Sequence, residues 1–348
     1  MYFDLYRETA LGIKAADPLA QVGGPATAML AWIPEFTAWC AANSAPIDFV
    51  SSHLYPTDPQ LPPARDNFMN AVANATQQAA AAGLPFLMTE YNAGLGSAAD
   101  NNGYGKLDSS FAAAFMLHQH LLAQSVPNFI SSSYWTFSDW GFEEQGVDPV
   151  PWADGQTKFG ILTDEGVPKP VYRGMQMISQ AAGDATLPVT PAAASAAGAA
   201  GVAAGAPAHR VFGATAVPGA FVGATEGAVD VSASVAQGVV TALLASFNCT
   251  GAALPDVTAV TLTFRGLPSP LPTAATLELI DSTHANARAV WEAAGSPTYS
   301  SRALVLAQLA ASELVPEALA LAPAGANAVT ATVTLQPFAM ARVRFSLV

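Results

Sequence analysis

An α/β fold followed by a small antiparallel β-domain is predicted from three observations. Up to about Gly183, helical segments alternate with short apolar strands, the pattern of parallel βα units rather than of a sandwich. The composition then turns abruptly to Ala, Gly, Pro and Val, and a tract of that kind cannot build a packed core. Beyond about Ala208, short segments rich in Val, Leu, Thr or Phe recur with period-two alternation. The expected domains are therefore residues 1–183, a linker over 184–208, and a β-sandwich over 209–348.

The opening residues, Met1 to Asp17, read as a charged amphipathic helix that stops before Asp17-Pro18, because proline restricts its predecessor. Gln21 to Pro25 makes a first short strand, and a helix over Ile33 to Ala42 follows. Ile47 to Tyr55 is a second strand ending in polar and aromatic side chains. A Pro-rich loop leads to an Ala-rich helix from about Arg65 to Ala82, which Gly83 caps. The third strand lies in the segment Pro85 to Leu95 and carries Glu90. A helix from about Leu107 to Gln124 returns the chain to a fourth strand over Phe129 to Asp139, and a last helix spans roughly Pro170 to Ala181. About four βα units are half of a closed eight-stranded barrel. The expectation is thus a partial (β/α)8 TIM barrel with its first half missing, an arrangement that leaves sheet edges open and favours self-association. In the last domain, strands are expected over Gly238 to Asn248, Val257 to Arg265, Ala275 to Asp281, Ala328 to Gln336 and Met340 to Val348.

Thirteen Lys and Arg against twenty-six Asp and Glu leave a net charge of −13, which argues against nucleic acid and anionic membrane surfaces as partners. Pro191 to Ala208 is too weakly apolar and too broken by proline to span a bilayer. The first residues lack a basic head followed by an apolar core, so no secretory signal is expected and the N-terminus starts inside structure. Cys40 and Cys249 lie far apart in different surroundings and suggest neither a disulfide framework nor a zinc cluster. His118 and His120 sit two apart on a helix and so face different ways, which defeats chelation; no metal site is expected. Gly23-Gly24-Pro25 lacks the spacing and the lysine of a phosphate loop.

Glu90 is the leading candidate for chemistry, since an apolar strand delivers it to its carboxyl end, where α/β barrels keep their active sites. The plain alternative is a glutamate that caps the next helix or pairs with a surface cation. His53 and Tyr55 share the period of a strand and leave one face together, although a satisfied core histidine reads the same way. Asn92 is a polar neighbour able to keep Glu90 ionised. Trp135 is a candidate contact and Phe137 a core residue of the same strand face, while Glu143 and Glu144 follow that strand in a loop. Asp139 is either a supporting carboxylate or a helix cap.

With these residues laid out, the chain resembles the family 39 glycoside hydrolases, the β-xylosidase and α-L-iduronidase group. Val22-Gly23-Gly24-Pro25, Asp48 to Tyr55, Thr89-Glu90-Tyr91 and Ser133 to Asp139 with Glu143-Glu144 are similar, in order, to that family's fifth to eighth barrel strands. Leu279 to Ala287 with Trp291 and Gly295-Ser296-Pro297 are similar to its appended sandwich, where His284 and Asn286 are expected to fix a domain contact. The resemblance implies a retaining glycosidase, nearer the β-xylosidase branch, with Glu90 as nucleophile and a carbohydrate substrate. His53, Tyr55, Asn92, Trp135, Glu143 and Glu144 would then contact the sugar, Trp135 as an apolar floor beneath the ring. No cofactor is implied. The family's acid/base belongs to an Asn-Glu-Pro motif, which this sequence lacks, so the acid/base half is expected to be absent. The rival expectation is a non-catalytic remnant that binds carbohydrate or pairs with another chain. Sugar preference, localisation and oligomeric state are left open.

Overall fold

The structure, a computed structural model, describes residues 1–58, 61, 66–94, 107–139, 152, 159–182, 185–187, 189, 210–211, 229–247, 254 and 256–347. The chain falls into two compact units, Met1–Leu95 with Leu122–Trp135, and Gly96–Leu121 with Thr136–Val348.

In the first unit, strands β1 (Gly23–Ala28), β2 (Phe49–His53), β3 (Phe86–Tyr91) and β4 (Phe129–Tyr134) form a sheet in that order, every neighbouring pair parallel. Parallel neighbours need long crossovers, and helices supply them. Helix α1 (Tyr2–Ala16) precedes β1, α2 (Ile33–Ala42) links β1 to β2, and α3 (Asp66–Ala81) links β2 to β3. The aromatic stripe of α1 meets α2, with the rings of Tyr6 and Phe36 4.7 Å apart in an edge-to-face contact. On α3 the buried residues Phe68, Val72, Thr76 and Ala79 recur at helical spacing. Gly23 is required where it stands: a Cβ there would lie 2.4 Å from the Phe49 carbonyl oxygen. Gly83 follows α3 at φ +75°, the left-handed backbone expected of its cap.

The β4 strand is shorter than the segment Phe129 to Asp139 expected from sequence. Regular pairing stops at Tyr134. Phe137, expected in the core, is 68% exposed, because period-two alternation carries no information once the strand has ended. Ile130 and Ser131 to Ser133 are exposed along the strand.

In the second unit, helix α4 (Ser110–Ala123, divided between the units after Leu121) and α5 (Pro170–Ala181) accompany two antiparallel sheets. The larger holds β5 (Ala185–Leu187), β6 (Arg210–Val211), β7 (Val229–Ala236), β8 (Val239–Ser246), β10 (Ala274–Ile280), β11 (Glu317–Ala320) and β14 (Met340–Ser346), in the order β11-β10-β14-β8-β7-β5 with β6 running parallel on β7. The smaller is β12 (Ala322–Pro323), β13 (Ala328–Leu335) and β9 (Thr258–Arg265). One apolar cluster draws Val231, Leu244, Leu277 and Val343 from the first sheet and Val260, Val329 and Val333 from the second, so the sheets share a core. β5 falls inside the stretch whose composition suggested linker, and it pairs with β7.

Two short helices, α6 (Ala287–Ala293) and α7 (Arg302–Ala311), bury Trp291 and Trp152 with Val167. The Trp152 indole donates to Gln308 Oε1 at 2.6 Å. Gly174 of α5 sits where a Cβ would approach Met116, Ala113 and Met340, so helix α5 packs closely against α4 and β14.

Candidate active site

The carboxyl end of β3 is irregular on both sides, and that irregularity positions Glu90. Against β2 the register runs Ser52 to Met88 and then His53 to Glu90, leaving Thr89 as an extra residue. Against β4 it runs Met88 to Ser132 and then Tyr91 to Tyr134, again with one residue more on β3. A bulge of this kind re-aims a side chain and is common beside active sites. Burial alternates along β3 until the bulge and then breaks, so that Thr89 and Glu90 are both half-buried. Thr89 Oγ1 pins the bulge by donating to Ser52 O at 3.1 Å.

The structure brings Tyr55 to Glu90. The buried phenol donates to Glu90 Oε2 at 2.8 Å. A donor held rigid by burial restricts the carboxylate it binds, so Tyr55 orients Glu90. His53 is half-buried, its ring centroid 6.4 Å from that of Tyr55 at 71°; β2 ends at His53, so the turn beyond the strand rather than the strand period expected for both residues brings the rings together.

Asn92 has a different part. Its side chain is 0% exposed. Its Nδ2 donates to the Trp135 carbonyl at 2.5 Å, and its Oδ1 accepts the Tyr134 phenol at 2.6 Å and the Ala93 amide at 2.6 Å. These bonds tie the end of β3 to the end of β4 and keep the amide off the surface, where the sequence had suggested a sugar contact. Trp135 is half-buried, and its amide donates to the Tyr91 carbonyl at 2.8 Å. Tyr91 is buried against Phe68 and Tyr134, and burial pushes its phenol up to about 12. Glu143 and Glu144 lie outside the described residues.

Sequence reasoning missed Asp58. Its Oδ2 accepts the Tyr55 amide at 2.8 Å while its own amide donates to the Tyr55 carbonyl at 3.0 Å, closing the turn that holds Tyr55. Burial raises its carboxyl above the ordinary range, against the pull of the Tyr55 N–H and of His53. The run Tyr55-Pro56-Thr57-Asp58-Pro59 carried the signal, since aspartate beside proline marks a turn that accepts backbone amides.

Other candidates resolve locally. Asp139, in the second unit, neither caps a helix nor stands free: it is buried, its Oδ1 accepting from Lys169 Nζ at 2.7 Å and from the Gly160 amide at 2.8 Å. Lys169 Nζ also lies 2.5 Å from Asp108 Oδ1, so one buried ammonium faces two carboxylates. His118 Nδ1 is 2.5 Å from Asp230 Oδ2 in a buried pair, its ring stacked on Phe247. His284 Nδ1 lies 2.9 Å from Asp281 Oδ1 and its Nε2 3.4 Å from Glu317 Oε1 on β11, and Asn286 caps α6 by accepting from the Ala289 amide. Among the described residues no group of three His, Cys, Asp or Glu is placed to hold a metal ion, and no helix is long and apolar enough to cross a membrane. Cys40 is free and buried, and Cys249 lies outside the described residues.

The sequence model of glycosyl hydrolases family 39 matches residues 1–326. The chain belongs to this family. Among curated relatives, a beta-xylosidase of Caldicellulosiruptor saccharolyticus is 37% identical over 193 residues, covering 53% of this chain and 37% of that protein. One of Geobacillus stearothermophilus is 32% identical over 207 residues, covering 53% of this chain and 38% of the relative. The matches thus take in little more than a third of the curated family 39 relatives. Among solved structures, a GH39 beta-xylosidase from Caulobacter crescentus superimposes with a TM-score of 0.66 at 24% identity over 99% of this chain and 61% of that one. The GH39 enzyme of Xanthomonas axonopodis pv. citri gives 0.70 at 22% identity over 100% and 64%. These two likenesses show a shared α/β fold.

Proposed function

We propose that this chain carries the nucleophile side of a retaining, β-xylosidase-like glycoside hydrolase, with Glu90 forming the glycosyl–enzyme intermediate. The observation that carries the proposal is the Tyr55 phenol bound to Glu90 Oε2 at 2.8 Å, on a bulge at the carboxyl end of a parallel strand. Under this reading β1 to β4 are the second half of a (β/α)8 barrel over residues 1–183, followed by a linker over 184–208 and a β-sandwich over 209–348.

In a retaining mechanism the nucleophile attacks the anomeric carbon while a carboxylic acid about 5 to 5.5 Å away protonates the departing oxygen; water then releases the sugar. Glu90 suits the first step because a bonded, half-buried carboxylate at a strand end loses little freedom on reaching the transition state. Trp135 supplies an apolar face for the ring and His53 a hydrogen-bonding group, while Asn92 acts through the backbone it holds. Glu143 and Glu144 remain candidates for sugar hydroxyls. The sequence holds no Asn-Glu-Pro triplet, so the acid/base is supplied from outside these residues. The substrate is a xyloside-like carbohydrate, and no cofactor takes part.

Release of dinitrophenol from dinitrophenyl β-xyloside, whose leaving group needs no protonation, by the purified chain and by Glu90→Gln tests the proposal. Loss of at least about a thousandfold in the variant is expected of a nucleophile; equal rates in both contradict it. One observation favours a second reading, in which the chain pairs with another protein: Ile130 is 59% exposed along β4, with three serines exposed after it. Sedimentation of the purified chain separates the two. A single stable monomer argues against pairing with a second copy.

A further inference from the structure

The outer face of the larger antiparallel sheet holds an arginine whose Nε is buried and, among the described residues, unbonded. Side chains alternate along each strand, and Val343, Phe345, Val240, Ala242 and Leu277 enter the apolar core. Their neighbours leave the opposite face. On that face Arg342 is buried and fully engaged, donating to Glu278 Oε2 at 2.6 Å and to Gln180 Oε1 at 2.5 Å. Arg344, one step along on the same face, differs: its Nε is buried and has no hydrogen-bond partner among the described residues. A guanidinium has five donors, and a buried donor without an acceptor costs free energy.

The surroundings of Arg344 form a site. Its cross-strand partners are Thr241 on β8 and Thr276 on β10, and Thr241 in turn faces Ser234 on β7. A row of hydroxyls thus flanks the cation. A cavity of about 190 Å³ opens over Thr241 and Ser234, lined by these two and Arg344 of the sheet, by Gln237 of the turn between β7 and β8, and by Gln180 at the end of α5. Gln180 presents its carbonyl oxygen to Arg342, which leaves its NH₂ as a donor. Ser234 donates to the Ala181 carbonyl at 2.6 Å, so one of the electronegative groups at the carboxyl end of α5 is already bonded. The remaining partial charge of the helix end opposes an anion only in part, since it amounts to about half an elementary charge against the full charge of the guanidinium.

We propose that this cavity binds a small oxyanion, a carboxylate or phosphate held by the Arg344 fork, either free or carried on a single sugar. The volume admits a ligand of monosaccharide size, and the Thr and Gln groups suit hydroxyls beside the anionic group. Arg342 takes no part because Glu278 neutralises it. The site lies within the second unit, and the proposal does not rest on Glu90 or on the reaction proposed for it.

Isothermal titration of the purified chain with sodium phosphate, sodium glucuronate and glucose tests the proposal. Both anions are expected to bind and neutral glucose to give no heat. Glucuronate binding tighter than phosphate marks a sugar acid as the source, and equal affinities mark a free oxyanion. Arg344→Gln is expected to weaken both anions about tenfold or more. Arg344→Lys keeps the charge but loses the bidentate fork, so it weakens glucuronate even if the Gln variant does not fold. Silence with both anions, or glucuronate affinity unchanged in the Lys variant, overturns the proposal.

Discussion

The phenol of Tyr55, in the turn just past β2, donates a 2.8 Å hydrogen bond to the carboxylate of Glu90, near the end of β3. A second bond between the same two segments, from the Thr89 hydroxyl to the Ser52 carbonyl, holds the bulge on which Glu90 sits. The sheet positions the strand end and the phenol orients the carboxylate.

Removing that bond should slow the reaction of Glu90 without unfolding the chain. Tyr55→Phe keeps the buried ring and loses only the donor. A hydrogen bond to a charged group contributes about 1.5–3 kcal/mol, so glycosylation by an activated aryl xyloside should fall about 10- to 100-fold. Stopped-flow or steady-state release of the aryl group measures it. An unchanged rate with an intact melting curve would place Tyr55 outside the mechanism.

Asn92 should matter to stability. Asn92→Leu leaves the Tyr134 phenol and the Trp135 carbonyl without their partner, at about 1–3 kcal/mol for each buried group left unsatisfied. Urea unfolding should show a midpoint well below that of the parent chain. A variant as stable as the parent would mean that the amide does not bridge β3 and β4.

Much of this was legible in the sequence because it depends on strand periodicity. The strand expected over residues 47–55 forms over Phe49–His53 and the one expected around Glu90 over Phe86–Tyr91, while Tyr55 stands past the end of β2 with its ring 6.4 Å from that of His53. What escaped depends on where strands stop and on partners distant in sequence. Phe137 lies past the end of β4, and the burial of Asn92 follows from contacts 42 and 43 residues away. β7 was missed because Val229–Ala236 includes a buried aspartate, acceptable only because His118 stands against Asp230. Its polar, small-residue alternation gave no strong strand signal.

Stability should depend on pH through Asp139. Burial raises its carboxyl to about 7, with Lys169 opposing and Asp108 adding to the rise, whereas the ordinary value is 3.8. The folded chain therefore binds this proton more tightly than the unfolded one. The resulting stabilisation is complete below about pH 4 and is lost as pH rises through about 7, a change on the order of a few kcal/mol. Asp139→Asn should flatten the unfolding free energy between pH 4 and 7. Denaturant midpoints across that range check it; an unaltered slope in the variant contradicts it.

Gly160 should tolerate no side chain. A Cβ would lie 2.0 Å from the Asp139 amide nitrogen and 2.4 Å from the Leu162 carbonyl oxygen, so backbone must move. Gly160→Ala should cost at least about 3 kcal/mol, and also weaken the bond that the Gly160 amide donates to Asp139. Thermal unfolding of the variant measures the loss, and a shift of a degree or less would show that the loop accommodates the methyl group.

The assignment of Glu90 as nucleophile is tested most directly by trapping. A 2-deoxy-2-fluoro-xyloside with a dinitrophenyl leaving group departs without protonation, so its reaction reports the nucleophile alone and needs no acid/base group. After incubation and proteolysis, mass spectrometry should find one fluoroxylosyl adduct, on the peptide containing Glu90, and none in Glu90→Gln. An adduct on a different carboxylate, or the same labelling in the variant, would contradict the account.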